Sequence, residues 1–338
     1  MIMKNILKVS CLCLCAAVLS CSKNPSEGPN AALERYFNAW MDINYPGATG
    51  MNGVYVVEDQ PGTGAVWSKD LPVTFISYTV RNLSGTVTAN SDEAWAKQLG
   101  SWNQTYYYGQ QVAMTGEGAS YAGVDAILQG MRAGGTRTAV VPAWMMTYER
   151  YDDVGEYLQH TAETNAAIYT IRFLGQTDDL PKYEYNRLRD YSIGTWGVSD
   201  TLSTSAVFFK SFTDFDGEPG EMPSDTTVYI NYTGRRISDG QVFDTTVADT
   251  AKLYNIYNPS KTYAPVSVTW GTEADKIKLS GNEPIKGFAY GLYAMHPGEK
   301  ASFAFCYTLG YGANGGSDKN MVPPYAALRF DIELVPEP

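Results

Sequence analysis

Two sets of short period-two apolar runs, built on one plan, constrain this chain more than any other feature. The first set is Val54–Val57, Val73–Val80, Thr138–Val141 and Ala167–Phe173, and the second is Ala206–Phe209, Val228–Tyr232, Ala301–Phe305 and Ala327–Leu334. Alternation at period two puts every other side chain on one face, so each run reads as a strand with one buried side. Each set holds one short helical candidate ahead of its third run. These are Val124–Met131, ending at Gly134-Gly135, and Phe288–Met295, ending at Pro297-Gly298. A strand-rich fold repeated twice is the economical reading, because one such set has too few faces to bury all its apolar residues in a chain this long. The expected class is α+β: two domains, each a curved antiparallel sheet wrapped on one short helix.

Between and around the sets the composition changes. Ala31–Ile43 carries Leu33, Tyr36, Phe37, Trp40 and Met41 at helical spacing, with Asn30 as a candidate cap, and stops before Pro46-Gly47. Asp178–Ser205 is charged and poor in apolar periodicity, which reads as a linker. Thr245–Asn282 interrupts the second set and holds one strand candidate, Val266–Trp270, so an insertion is expected there. The organisation follows: 1–20 a signal segment, 21–49 a tether and helix, 50–176 the first copy, 177–203 a linker, and 204–338 the second copy.

The signal reading rests on Lys4 and Lys8, the apolar run from Val9 to Leu19, and Val18-Leu-Ser-Cys21. The run is too short to span a bilayer, and a small residue directly before a cysteine suits cleavage with lipid attachment at Cys21. A mature chain tethered to the cell envelope through that lipid, at the outer membrane, is therefore expected. Three of the five cysteines would leave with the signal, and Cys306, inside Phe-Ala-Phe-Cys-Tyr, reads as a small buried hydrophobe rather than a reactive thiol. A net charge of −11 and a pI near 4.7 repel phosphate backbones and disfavour nucleic acid as a partner.

Groups for nucleophilic or metal chemistry are scarce. Histidine occurs twice, His160 and His296, and the latter sits in a Met-His-Pro-Gly turn. Gly310-Tyr-Gly-Ala-Asn-Gly315 has glycines at dinucleotide spacing, but Met321-Val-Pro-Pro follows where a phosphate-facing helix would have to begin. Asp214-Phe-Asp-Gly-Glu218 lacks the remaining ligands of a calcium loop, and Asp152-Asp153 and Asp178-Asp179 read as turn charges. No cofactor and no metal is expected. What remains is apolar and aromatic, concentrated from Pro284 to Leu334.

That remainder resembles a known family. Tyr232-Thr-Gly, Asp239-Gly, Val242-Phe-Asp, Glu283-Pro-Ile-Lys-Gly-Phe288, Tyr311-Gly-Ala, Val322-Pro-Pro and Phe330-Asp follow the motif order of the FKBP-type peptidyl-prolyl isomerases over roughly Val207–Leu334. The resemblance implies that Tyr232, Phe243, Asp244, Ile285, Phe288, Tyr311 and Phe330 form a catalytic proline pocket, with Pro284 and Val322 as substrate-binding neighbours. Phe288 stands where the family's floor is usually Trp, Pro284 where Val is usual, and 245–282 displaces one aromatic wall residue. The first copy resembles the fold more weakly: Ser77-Tyr-Thr stands in place of Tyr-Thr-Gly, no Phe-Asp follows, and Val124 takes the floor position. The function so implied is prolyl isomerisation in proline-containing peptides or unfolded exported proteins. The alternative is a surface lipoprotein that uses the same fold to bind peptide or glycan without catalysis.

Overall fold

The computed structural model describes residues 28–160 and 164–337. The expected signal segment and Cys21 lie outside the described residues. Among those residues no helix is long and apolar enough to cross a membrane.

The chain forms two antiparallel sheets with several helices. The first part runs α1 (Pro29–Asn44), β1 (Tyr55–Gln60), β2 (Val73–Asn82), β3 (Val87–Asn90), α2 (Glu93–Gln98), β4 (Gln111–Met114), α3 (Ala122–Leu128), β5 (Thr136–Val141), α4 (Val154–Tyr157) and β6 (Ala167–Thr177). After α5 (Leu180–Trp196) come β7 (Val207–Ser211), β8 (Thr227–Arg236), β9 (Val242–Thr245), α6 (Ala248–Leu253), β10 (Val266–Thr269), β11 (Lys278–Leu279), α7 (Lys286–Tyr293), β12 (Lys300–Phe305) and β13 (Leu328–Val335). The first sheet has the order β1-β5-β6-β2-β3 with β4 also on β2; the second has β11-β10-β8-β13-β12-β7 with β9 also on β8. Reading β1, β5, β6, β2 against β7, β12, β13, β8 gives one topology used twice.

Period two explains how each sheet serves two layers. On β5, Ala139 and Val141 join the core beneath α3, while Val140 points the other way onto Phe37 and Met41 of α1. In the second sheet Leu328, Phe330 and Ile332 of β13 face α7. Close seating of each helix depends on small residues: a Cβ on Gly287 would lie 2.3 Å from the Phe305 ring, one on Gly291 2.3 Å from the Phe303 ring, and one on Gly123 2.3 Å from Val141.

Three expectations need correction. The segment read as a linker is largely α5, a 17-residue helix. Its buried side is Leu180, Glu184, Leu188 and Ser192, a regular i, i+4 stripe that alternates apolar with polar residues. The Asp179 side chain accepts from Lys182 N–H, and Gly197 closes the helix at φ 69°. The segment read as an insertion supplies a core strand, since β10 pairs with β8 and buries Val268 and Trp270. Asn30 is not the cap of α1, whose N-cap is Gly28; its side chain instead donates to the His160 carbonyl at 3.0 Å.

Cys306 is buried, and burial together with the Glu184 carboxylate pushes its thiol up to about 12. In a chain lacking residues 1–21 it is the single thiol. At pH 8 a disulfide reagent is expected to label the folded protein orders of magnitude more slowly than the denatured one, because the thiolate fraction falls about tenfold per pKa unit. Equal labelling rates in the two states would contradict that burial.

Candidate functional site

The site is built on the central hairpin of the second sheet. Gly234 on β8 pairs with Phe330 on β13 and with Asp244 on β9, so one short stretch of backbone is flanked by two of the motif residues. A Cβ on Gly234 would meet the rings of Phe243 and Phe330, both at 2.8 Å. Only glycine lets these rings close over the strand there. The first turn of α7 then brings Phe288 across the sheet, behind Ile285 at the helix N-cap.

Phe330 is the hub. Its ring centroid lies 5.0 Å from Phe288 at 87°, 5.8 Å from Phe243 at 90° and 6.4 Å from Tyr232. Tyr232 meets Phe288 edge-on at 5.9 Å, and Phe243 meets Tyr311 edge-on at 6.4 Å. Edge-to-face pairs place a positive rim against a negative face, which favours a fixed cage over a sliding stack. Depth is graded: Phe288 and Phe330 are 3% and 4% exposed and make the floor, whereas Tyr311 at 38% forms the outer rim. Val322 is buried in the same cluster and Ile285 packs against it. Pro284 is half-buried just ahead of α7.

A polar edge is fixed on this apolar cage. The Tyr232 hydroxyl donates to Asp244 Oδ2 at 2.6 Å, and Lys261 Nζ donates to Asp244 Oδ1 and to the Thr245 carbonyl. Burial, then the neighbouring Asp244 carboxylate, hold both tyrosine hydroxyls, Tyr232 and Tyr311, above the usual phenol range. Both therefore stay protonated, and so remain hydrogen-bond donors, throughout the neutral range. Beneath the floor, Phe303 and Phe305 form a second layer, with Phe305 stacked on Phe330 at 5.9 Å and 13°.

Sequence reasoning missed Lys261. It lies 17 residues from its partner, and nothing in the local pattern points to Asp244. In the same segment Tyr257 stacks on Tyr263 and Trp270 on Tyr293, and the Tyr263 ring lies 5.6 Å from the Lys261 Nζ that is bonded to Asp244.

The first copy departs at the same register. Tyr78-Thr-Val80, one residue on from the expected Ser77-Tyr-Thr, takes the place of Tyr232-Thr-Gly234: Val80 faces Tyr169 across β2 and β6, where Gly234 faces Phe330, so a branched side chain occupies the position that glycine leaves open. Between α1 and the sheet of this copy lies an open cleft of about 850 Å³, walled by Tyr36, Phe37, Val80, Tyr121 and Tyr169.

Residues 219–335 match the family model described as FKBP-type peptidyl-prolyl cis-trans isomerase, and this part of the chain is an FKBP-type domain. Among curated relatives, a macrophage infectivity potentiator of Trypanosoma cruzi is 32% identical over 106 residues, covering 31% of this chain and 40% of that protein. The peptidyl-prolyl cis-trans isomerase FKBP15-3 of Arabidopsis thaliana is 30% identical over 118 residues, covering 35% of this chain and 61% of that protein. The chain thus spans less than two thirds of either relative. Among solved structures, FkpA from Escherichia coli is similar at 25% identity, with 46% of this chain and 58% of that one covered and a TM-score of 0.31. The three FKBP domains of wheat FKBP73 are similar at 16% identity, with 84% and 94% covered and a TM-score of 0.30.

Proposed function

We propose that the second copy is a peptidyl-prolyl cis-trans isomerase for proline-containing segments of exported, unfolded proteins, tethered at the cell envelope by lipid on Cys21. The observation that carries this reading is the cage itself: five aromatic rings converge on a buried floor, with a fixed Tyr232–Asp244 edge. Rotation about an X-Pro bond needs no bond broken. Amide resonance raises a barrier of roughly 18–20 kcal/mol, and the planar, charge-separated amide is the form that water solvates best. A surface that excludes water and fits the twisted amide lowers that barrier without acid, base or metal.

In this mechanism Phe288 and Phe330 seat the pyrrolidine ring, and Phe243 and Ile285 close the sides against water. The Tyr311 hydroxyl and the Ile285 backbone N–H hold the substrate carbonyls. Asp244, tied to Tyr232 and Lys261, keeps the polar edge from collapsing onto the floor. A thousandfold acceleration requires only about 4 kcal/mol of preferential binding to the twisted amide. The first copy, with Val80 in place of the glycine, serves on this reading as a client-binding or spacing module without catalysis.

The test is direct. Full-length protein without its signal segment should speed cis-to-trans conversion of a Leu-Pro or Phe-Pro peptide, followed by exchange spectroscopy or a coupled cleavage assay. Rates equal to buffer would overturn the reading, and peptide-induced NMR shifts at Tyr311 and Ile285 without exchange would favour a binding module.

A further inference from the structure

One arginine joins the two copies beside the cage. Arg236, the last residue of β8, is 1% exposed. Its guanidinium grips Asp239 with two bonds, Nε to Oδ1 at 3.0 Å and Nη2 to Oδ2 at 2.7 Å. The planar fork leaves its other donors aimed away from that carboxylate. Nη1 donates to the Thr105 carbonyl at 2.9 Å, to the Met321 carbonyl at close range, and to the Asn320 carbonyl at 3.4 Å. Thr105 belongs to the first copy, whereas Asn320 and Met321 belong to the second.

The same junction has a main-chain tie. Tyr107 N–H of the first copy donates to the Asn320 carbonyl at 2.7 Å, and the Tyr107 ring lies 5.7 Å from the guanidinium. A third contact joins the same segment of the first copy to the second, where the Asn255 side chain donates to Gln104.

Asn320 and Met321 sit in the loop that runs from Tyr311 to Tyr325. Its feet are joined by Tyr325 N–H to the Gly312 carbonyl at 3.0 Å, and its limbs by Gly316 N–H to the Val322 carbonyl at 2.9 Å. One foot carries the cage rim, Tyr311. Val322, the residue after Met321, is buried in the cage cluster. The first copy therefore holds the loop within one residue of the pocket wall.

We infer that the first copy is a positioning element of the isomerase site: through Arg236 and the 105–107 segment it fixes the 311–325 loop, and with it Tyr311 and Val322, in the geometry that receives substrate. This rests on the isomerase reading. It assigns the first copy a role that needs no pocket of its own, and Arg236 a positioning role, since it does not line the cage. A site loosened by a fraction of a side chain's width loses much of its advantage, because binding to the twisted form depends on fit.

Two variants of the full chain test it from opposite sides. Arg236→Leu removes the clamp from the second copy, and Tyr107→Pro removes the N–H donor from the first. Each is expected to raise KM for a proline peptide about tenfold with a smaller change in kcat, as for loss of an interaction shared by ground and transition states. Each should also speed amide hydrogen exchange in 312–324 while exchange in 300–305 and 328–335 stays slow. Arg236→Lys, which keeps the charge but reaches fewer carbonyls, should fall between. Unchanged exchange at 312–324 in both variants would overturn the inference even if the protein had no isomerase activity. Faster exchange there with an unchanged KM would overturn the link to the site. Should Arg236→Leu lose protection throughout the sheet, Tyr107→Pro alone decides.

Discussion

Replacing Phe243 and Asp244 together by alanine is expected to return prolyl isomerisation by the full-length chain to the uncatalysed rate, with the circular-dichroism spectrum unchanged. Phe243 is the wall between floor and rim, in edge contact with Phe330 on one side and Tyr311 on the other. Each such pair is worth about 0.5–1.5 kcal/mol beyond its burial, so their loss frees the rim and admits water to the floor. Asp244 accepts from the Tyr232 hydroxyl and from Lys261, so its removal leaves a half-buried phenol without its acceptor and a lysine beside an apolar cage. Set against the ~4 kcal/mol that a thousandfold acceleration needs, losing the wall and the edge together is enough to erase it. Full activity in a folded double variant would remove the cage from the mechanism.

Glycine-to-alanine exchange in α7 should destabilise the protein, although alanine is the better helix former. Propensity alone would favour Gly287→Ala by about 1 kcal/mol. Against it stand the Phe305 ring 2.3 Å from the new Cβ at 287 and the Phe303 ring 2.3 Å from one at 291. Both rings are fully buried and belong to the stacked layer beneath Phe330, so neither has space to yield. Overpacking of this kind costs typically 1–3 kcal/mol and occasionally more; with contacts this short the cost falls at the upper end, and after the propensity gain the net expectation is a loss of about 2 kcal/mol for each alanine, larger for valine. Gly194 in α5 is the control, because a Cβ there meets nothing within 4 Å. Gly194→Ala should stabilise by about 0.5–1 kcal/mol. Chemical denaturation of the three variants separates the cases; a stabilised Gly287→Ala would mean that α7 does not sit against the sheet this closely.

The parts of the fold that could be read from the sequence are those where one face is apolar and the other is not. Every period-two run that was singled out lies on a strand, and the stretches at 31–43, 124–131 and 288–295 coincide with α1, α3 and α7 to within two or three residues. Helix α5 was illegible because its buried stripe includes Glu184 and Ser192, which no hydrophobic period detects, although Asp179 and Gly197 marked both ends. Strand β10 was visible as a strand but not as core. A four-residue segment carries no record of its partner, and it is pairing with β8 that buries Val268. At the site, the rings could be placed through their family order, while the ion pair to Lys261 and the clamp at Arg236 depend on the path of long loops. A charged residue at a strand end reads as solvated surface, and only the tertiary structure brings Asp239 and the carbonyls of two other segments around it.

Helix α5 also sets how the chain can vary. Leu180 packs with Val73 and Phe75 of the first sheet, and Leu188 with Phe208 and Ala304 of the second, so both ends of one rigid rod are keyed to different bodies. At about 100° of rotation per residue, a single insertion within it would turn the second copy out of phase with the first and carry Arg236 away from Thr105. Only changes of about seven residues, two whole turns, restore the phase, and those would drive the copies roughly 10 Å apart. The length of this helix is thus a quantised quantity, and the spacing of the two copies can be inherited only in steps too coarse to keep the junction beside the pocket.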